Sequence, residues 1–344
     1  MRRLANNLKR VVREIFYTSV SVGPLFGRLL ARQFFQMWQI LENPQPFWIV
    51  EQGAHDGQLA CDILEWCRSE VPEFFRAIRY AIVESSEAAC TAQKKSTEKA
   101  RVIESVTWFD KLASLNEYPV GVFFSNELID ALPVRVVTYQ SGKWQEKCVT
   151  LNEGKAFAWK TSSIEDQELI QIVEALPLPA VEGYTTEINL RARQWMGEVA
   201  SVIKRGYVVT IDYGFPASIY YAPFRMSGTL TGYKNHQRIE EILTEPGQHD
   251  ITAHVDFTAL ARTGEKAGLK TLGFIDQQRF LMGVARKEFS EGTGPHVHIG
   301  ENQRAWNTLT HPEFLGTRFQ VLLQAKDVPV NLDGLQFAGR TGLD

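Results

Sequence analysis

Apolar side chains recur at helical spacing from Leu25 to Glu42 (LFGRLLARQFFQMWQILE), which predicts an amphipathic helix leading into a core. Four short apolar runs follow: Phe47 to Glu51 (FWIVE), Tyr80 to Glu84 (YAIVE), Val120 to Ser125 (VGVFFS) and Tyr207 to Asp212 (YVVTID). Their length and continuity predict buried strands. Helical stretches are expected from about Gln58 to Arg68 and through Gln93-Lys94-Lys95, with Arg101-Val102-Ile103 as an edge-like third strand. Strands alternating with helices predict a mostly parallel sheet covered on both faces.

Between these runs the pattern changes. Residues 134 to 160 alternate apolar and polar, with turn signals at Ser141-Gly142 and Asn152-Glu153-Gly154, which predicts an inserted antiparallel meander. Leu176-Pro177-Leu178-Pro179 breaks the chain before a helix at about 188 to 204. A long aromatic loop is expected over 214 to 250, then a helix from Asp256 to Gly268 and a last strand at Phe319 to Leu323. The expected division is a helical lead-in (1–44), a first core half (45–133), the meander with a helix (134–187), a second core half containing the loop (188–330), and a tail (331–344).

Composition narrows the partners. The 344 residues are 44% hydrophobic and 22% charged with a formal charge of -3, which suits a globular protein and does not favour nucleic-acid binding. Cys61, Cys67, Cys90 and Cys148 form no metal-type or redox spacing and read as buried free thiols. No apolar run approaches the ~18 residues of a membrane span. Arg2, Arg3, Lys9, Arg10 and Arg13 precede the first acid, and they are expected on a retained surface helix rather than an organelle presequence.

In open α/β sheets, ligands bind beyond the carboxyl ends of the strands. Here those ends carry Glu51, Glu84, Asn126-Glu127 and Asp212. Such an acceptor cluster matches S-adenosylmethionine, which presents a ribose diol, an α-amino group and a sulfonium. Glu51 is expected beneath the loop Glu51-Gln52-Gly53-Ala54-His55-Asp56-Gly57, where Gly53 and Gly57 let the backbone pass close to a ligand. The helix N-terminus that follows favours a carboxylate. Glu84 is the natural acceptor for two ribose hydroxyls, and His55 and Ser85 complete the expected cofactor contacts. A nicotinamide-binding domain would want G-x-G-x-x-G with an acid about 20 residues on, a spacing absent here.

The segment Asn126-Glu127-Leu128-Ile129-Asp130-Ala131-Leu132-Pro133-Val134 resembles the NE-x-x-DALPV signature of the MidA family of S-adenosylmethionine-dependent methyltransferases. Further similarities keep the family's order: Tyr17-Thr18-Ser19 with Leu25-Phe26-Gly27, Glu51 to Leu64, Val83-Glu84-Ser85-Ser86 with Gln93, and Asp212-Tyr213-Gly214. Then come Gly228-Thr229-Leu230 with Tyr233 and His236, Pro246-Gly247, Asp250 to Phe257 (DITAHVDF), His311-Pro312 and Gly316. The resemblance implies a Rossmann-like, seven-stranded class I methyltransferase sheet with an inserted meander and a long lid loop. It also implies the cofactor S-adenosylmethionine and a protein arginine substrate, since the characterised mitochondrial member methylates a complex I subunit during assembly. The setting expected is a bacterial cytoplasm, with the mitochondrial matrix as alternative.

For an arginine acceptor, carboxylates must orient the guanidinium and draw charge toward the attacking nitrogen. Glu127 and Asp130 are the expected catalytic acids, with Asn126 orienting and Asp212 as a second wall; Asp130 reads equally as a helix cap or a tether for the turn at Pro133. Tyr213, His236 and His254 are expected on the substrate loop. His249, Asp250, His254 and Asp256 could be read as a metal cluster, or Asp250 as a helix cap and His254 as a loop hydrogen-bonding group. One departure keeps two other functions open. The family loop is E-x-GPGRG, whereas here His55 replaces the middle glycine and Asp56 places an anion beside the expected cofactor carboxylate. A methyltransferase-fold assembly or scaffold protein without turnover, and a methyltransferase of small molecules, are the alternatives.

Overall fold

The computed structural model describes residues 18–115, 119–234, 237–239, 241–286, 295–329, 331–339 and 342–343. The basic segment before Glu14 and the candidate His236 lie outside them. In chain order the first stretch forms α1 (Leu25–Ile40), β1 (Phe47–Gln52), α2 (Gln58–Glu70), α3 (Pro72–Ala77), β2 (Ile78–Val83), α4 (Glu87–Lys99), β3 (Val106–Phe109) and β4 (Val120–Asn126). Next come β5 (Arg135–Gln140), β6 (Lys143–Leu151), β7 (Phe157–Ser163), α5 (Gln167–Ala175) and β8 (Thr185–Ile188). Then follow α6 (Leu190–Val202), β9 (Arg205–Phe215), α7 (Ala217–Tyr220), β10 (Thr231–Lys234), β11 (Gln237–Ile239) and β12 (Asp250–Thr252). The chain closes with β13 (Val255–Asp256), α8 (Phe257–Lys266), β14 (Lys270–Asp276), α9 (Gln277–Ala285), α10 (Gln303–Thr310) and β15 (Phe319–Lys326).

Two compact units emerge. The larger, built from 19–133, 189–222 and 254–344, holds a sheet of order β14-β15-β9-β4-β1-β2-β3, with β13 added to β9. Strands β3, β2, β1, β4 and β9 run parallel, and β15 lies antiparallel between β9 and β14. This is the seven-stranded Rossmann-like sheet. The strand order reverses at β1, so the connections leaving β1 and β4 diverge and open a crevice at their carboxyl ends.

The central parallel strands β1, β4 and β9 are mostly apolar because both faces are covered. Ile49, Val122, Phe124, Tyr207, Val209 and Ile211 join one apolar layer with Phe26, Phe34 and Phe74. Their neighbours Val50, Phe123 and Val208 join the other, with Trp195, Phe257 and Leu322. Alternation of this kind leaves only the strand ends free to carry polar groups.

The smaller unit comprises the meander and residues 223–253 within the described chain. It contains a sheet of order β7-β6-β5-β8 and a second of order β11-β10-β12. Glu187, 2% exposed, accepts from the Thr229 N–H and hydroxyl at 3.0 Å and from the Leu230 N–H at 3.1 Å. Arg135 is paired with Glu146 and, at 2.9 Å, with Asp166.

Several expectations from the sequence are corrected. The third strand is Val106–Phe109, not 101–103: the N–H groups of Arg101 and Val102 close the end of α4 on Glu98 and Thr97, and Arg101 takes a left-handed φ of 56°. Residues 214–250 are not one long loop but contain α7, β10, β11 and the start of β12. The cap of α8 is Asp256, which accepts from the Ala259 N–H at 3.0 Å, while Asp250 begins β12. Cys61 and Cys67 are buried, but Cys148 is exposed.

Close approach of β1 and β4 requires Gly121, where a Cβ would drive into the Trp48 backbone carbonyl, at a φ of 155°. Gly121→Ala is therefore expected to lower unfolding free energy by more than about 3 kcal/mol in denaturant titrations. Gly154→Ala, whose Cβ would meet only the Asn152 side chain at 3.4 Å, is expected to stay within about 0.5 kcal/mol.

Candidate functional site

The site is assembled at the carboxyl edge of the large sheet. Beneath the loop after β1, Glu51 is 2% exposed and accepts a 2.7 Å hydrogen bond from the Tyr80 hydroxyl. Burial pushes its carboxyl up to about 7, partly offset by that hydrogen bond, and the charge of Asp56 adds to the rise. Gly53, His55 and Gly57 all take left-handed φ values of 86°, 46° and 82°. The middle position thus keeps the conformation that a glycine adopts freely, and His55 holds it at a strain cost of roughly 1–2 kcal/mol. Its imidazole points outward, with the side chain 94% exposed. Asp56 turns toward the helix: its Oδ1 accepts from the Gln58 N–H at 3.1 Å and so takes one of the donors that opens α2.

Glu84 follows β2 and is half-buried. Its Oε1 accepts from the Ser86 N–H at 2.7 Å, and its Oε2 lies 3.4 Å from the Gln93 amide nitrogen. Ser85 is exposed, and it is the neighbouring Ser86 that caps α4 through the Ala89 N–H. Gln93, fully buried on α4, also donates to the His55 carbonyl at 3.1 Å and accepts from the Trp108 indole at 3.0 Å. The sequence showed Gln93 only as a motif match. It also gave no role to Asp110, whose strand was placed too early; Val83 pairs with Phe109, so Asp110 follows beside Glu84 on the same edge.

The ends of β4 and β9 carry the expected catalytic acids. Asn126 is 7% exposed and donates from Nδ2 to Glu127 Oε1 at 3.1 Å. Glu127 has a left-handed φ of 53°. Asn126 Oδ1 and Glu127 Oε2 are shielded from solvent and find no hydrogen-bond partner among the described residues. The Glu127 carboxyl is pushed up to about 8, mainly by burial and then by the neighbouring Asp130, against the hydrogen bond from Asn126. Ser19, fully buried, donates its hydroxyl to Gln277 at 2.9 Å, which places the early Thr18-Ser19 segment at this edge.

Asp212, near the end of β9, has both carboxylate oxygens occupied by backbone donors. It is fully buried; one oxygen accepts from the N–H groups of Ile129 and Asp130 at 2.8 and 3.3 Å, and the other from the Tyr213 N–H at 2.8 Å. These bonds tie the turn after β4 to the end of β9. Burial raises its carboxyl well above the usual range, with Asp130 and Glu127 adding to the effect. Asp130 is 5% exposed in the same cluster. The half-buried Tyr213 ring lies 4.0 Å from that of Phe319, and burial with the charges of Glu127, Asp130 and Asp212 raises its phenol. His254 packs its ring 5.1 Å from Phe215. Asp256 is occupied by the α8 cap and by the Tyr221 hydroxyl at 2.9 Å, and His249 meets the Ile242 carbonyl at 2.9 Å. Among the described residues no group of three or more His, Cys, Asp and Glu is arranged to hold a metal ion, nor is any helix long and apolar enough to cross a membrane.

Residues 29–275 match the model of a family described as "Putative S-adenosyl-L-methionine-dependent methyltransferase". The chain is 27% identical over 335 residues to the mitochondrial protein arginine methyltransferase NDUFAF7 homolog of Drosophila melanogaster, covering 89% of this chain and 74% of that one. It is 25% identical over 337 residues to mitochondrial NDUFAF7 of Rattus norvegicus, covering 88% and 72% respectively. A crystal structure of a Burkholderia thailandensis protein bound to S-adenosyl-homocysteine superposes with a TM-score of 0.82 at 28% identity, over 95% of this chain and 82% of that chain.

The raised carboxyls set a pH dependence of stability. Glu51 and Glu127 bind their protons more tightly folded than unfolded, so their contribution is complete below the ordinary carboxylate range and is lost as pH rises through about 7 to 8. The ligand-free protein should therefore be less stable at about pH 8.5 than at about pH 6 in chemical denaturation, and Glu127→Gln should narrow that difference. An unchanged difference in the variant would place Glu127 in solvent.

Proposed function

The chain belongs to this family of S-adenosyl-L-methionine-dependent methyltransferases, and from that premise we propose that its acceptor is the guanidinium of a protein arginine. The observation that carries the reading is the turn after β4, where Asn126 Oδ1 and Glu127 Oε2 are buried acceptors without partners among the described residues. A buried acceptor left unsatisfied costs about 1–3 kcal/mol, more when charged. A guanidinium is planar and offers only donors, so it satisfies both atoms at once. The names of the relatives as protein arginine methyltransferases support the same acceptor.

The cofactor end of the edge fits its partner as well. The left-handed Gly53 and Gly57 let the loop turn tightly against its neighbours: a Cβ on Gly53 would press on Leu128 at 3.1 Å, and one on Gly57 on Gln93 at 3.1 Å. We assign the amino-acid end of the cofactor to Glu51, Gly53, His55 and Gly57, the ribose to Glu84 with Ser85 beside it, and the base to the neighbourhood of Asp110. When bound, the cofactor supplies a methyl group activated by its sulfonium. The protein's part is orientation and proton handling. Asn126 and Glu127 hold the guanidinium, with Asp130 adding negative charge behind them. Methylation of the nitrogen releases one proton, and Glu127 Oε2 accepts it; a carboxylate raised to about 8 is a stronger base than an ordinary one. Asp212 keeps this turn in place, and Tyr213 and His254 border the substrate path.

A second reading, an assembly or scaffold protein without turnover, is favoured by one observation. Asp56 occupies a donor at the start of α2 that would otherwise greet the cofactor's carboxylate. The setting that accompanies the first reading is a bacterial cytoplasm or, as for the curated relatives, a mitochondrion.

The test combines calorimetry with S-adenosylhomocysteine and mass spectrometry of arginine-containing peptides incubated with protein and cofactor. Binding together with methylated arginine is expected. Glu127→Gln should lower kcat/KM by about 100-fold or more while the affinity for S-adenosylhomocysteine stays within about threefold. In the unmodified enzyme kcat/KM should rise with pH toward a limb near 8, as Glu127 ionises to receive the cation. Binding with no arginine modified would favour the scaffold; no binding would sink the enzyme reading.

A further inference from the structure

Gln93 is an uncharged side chain with no exposure, yet it touches three separate parts of the cofactor edge. Its orientation is set chemically. An indole N–H can only donate, so the 3.0 Å contact with Trp108 Nε1 must be made by the amide oxygen. The amide nitrogen then faces the other way, and its two hydrogens point at the His55 carbonyl (3.1 Å) and Glu84 Oε2 (3.4 Å). The His55 carbonyl belongs to the loop after β1, whereas Glu84 follows β2. Gly57 allows the approach, since a Cβ there would sit 3.1 Å from the Gln93 Cα. Thr97, one turn further along α4, donates its hydroxyl to the Gln93 carbonyl at 2.9 Å and steadies that part of the helix.

We propose that Gln93 is a positioning residue that locks the Gly53–Gly57 loop and the Glu84 carboxylate into one arrangement, so that the amino-acid and ribose ends of the cofactor bind cooperatively. The proposal rests on the cofactor placement given above. A single amide serves both sides: ordering Glu84 on a ribose fixes the amide plane, and the fixed plane holds the His55 carbonyl. The strained left-handed conformation of His55 makes such an anchor necessary, because nothing intrinsic to a histidine keeps it there.

The test is a double-mutant cycle read with two ligands, S-adenosylhomocysteine and 5′-methylthioadenosine, which lacks the amino-acid end. Calorimetry is done on the unmodified protein, Gln93→Leu, Glu84→Gln and the double variant. Gln93→Leu should weaken S-adenosylhomocysteine by about tenfold or more and 5′-methylthioadenosine by less. In the Glu84→Gln background its effect on 5′-methylthioadenosine should fall below about twofold, while part of its effect on S-adenosylhomocysteine persists through the loop. Equal losses for both ligands in both backgrounds would mark a merely structural side chain and overturn the proposal, as would no loss. Should Gln93→Leu fail to fold, the isosteric Gln93→Glu keeps the acceptor for Trp108 but turns an oxygen toward Glu84 and the His55 carbonyl; affinity equal to the unmodified protein would overturn the proposal. If the unmodified protein binds neither ligand, the cofactor placement itself fails and the proposal with it, an outcome distinct from binding that is indifferent to Gln93.

Discussion

The site depends first on the Asp212 carboxylate. Its oxygens gather the N–H groups of Ile129, Asp130 and Tyr213, which joins the turn after β4 to the end of β9. Without it, buried backbone donors would lose their acceptor at the crevice, and each such loss is costly. The same clamp holds Asp130 near Glu127, whose carboxyl it helps to raise.

That clamp creates an electrostatic problem. Glu127, Asp130 and Asp212 share one poorly solvated corner, and Glu51 lies buried a strand away beneath the loop. Burying anions without counter-charge is unfavourable, and the upward shifts of Glu51, Glu127 and Asp212 express that cost. A cofactor bearing ammonium and sulfonium groups is of the charge that relieves it.

The altered glycine loop is better tolerated than its residues suggest. The family pattern places glycine where this chain has His55, and the left-handed turn survives because the imidazole leaves toward solvent while Gln93 holds the carbonyl. Asp56 is a more consequential change, since it places a charge and an accepted hydrogen bond at the helix start. Loop geometry is preserved there, but its electrostatics are not those of the E-x-GPGRG pattern.

Much of this was legible in the sequence. Apolar runs bounded by acids are what strands covered on both faces must look like, so β1, β2, β4 and β9 and the polar groups at their ends were readable directly. Order along the chain, with the DALPV and DITAHVDF segments, carried the family and the sheet. Side-chain identity did not reveal what each polar group touches. β3 was displaced because the closing turn of α4 and a strand compete for the same apolar residues, and hydrogen bonds to Glu98 and Thr97 decide the outcome. Residues 214–250 read as loop because β10, β11 and β12 are only three or four residues long, too short for periodicity to show, and gain their stability by pairing with one another. Asp212 as clamp, Gln93 as bridge and the Ser19 hydroxyl on Gln277 exist only once elements far apart in the chain meet. Strand and helix periodicity is a local property, whereas satisfaction of a buried donor or acceptor is settled by whichever group the fold brings within about 3 Å.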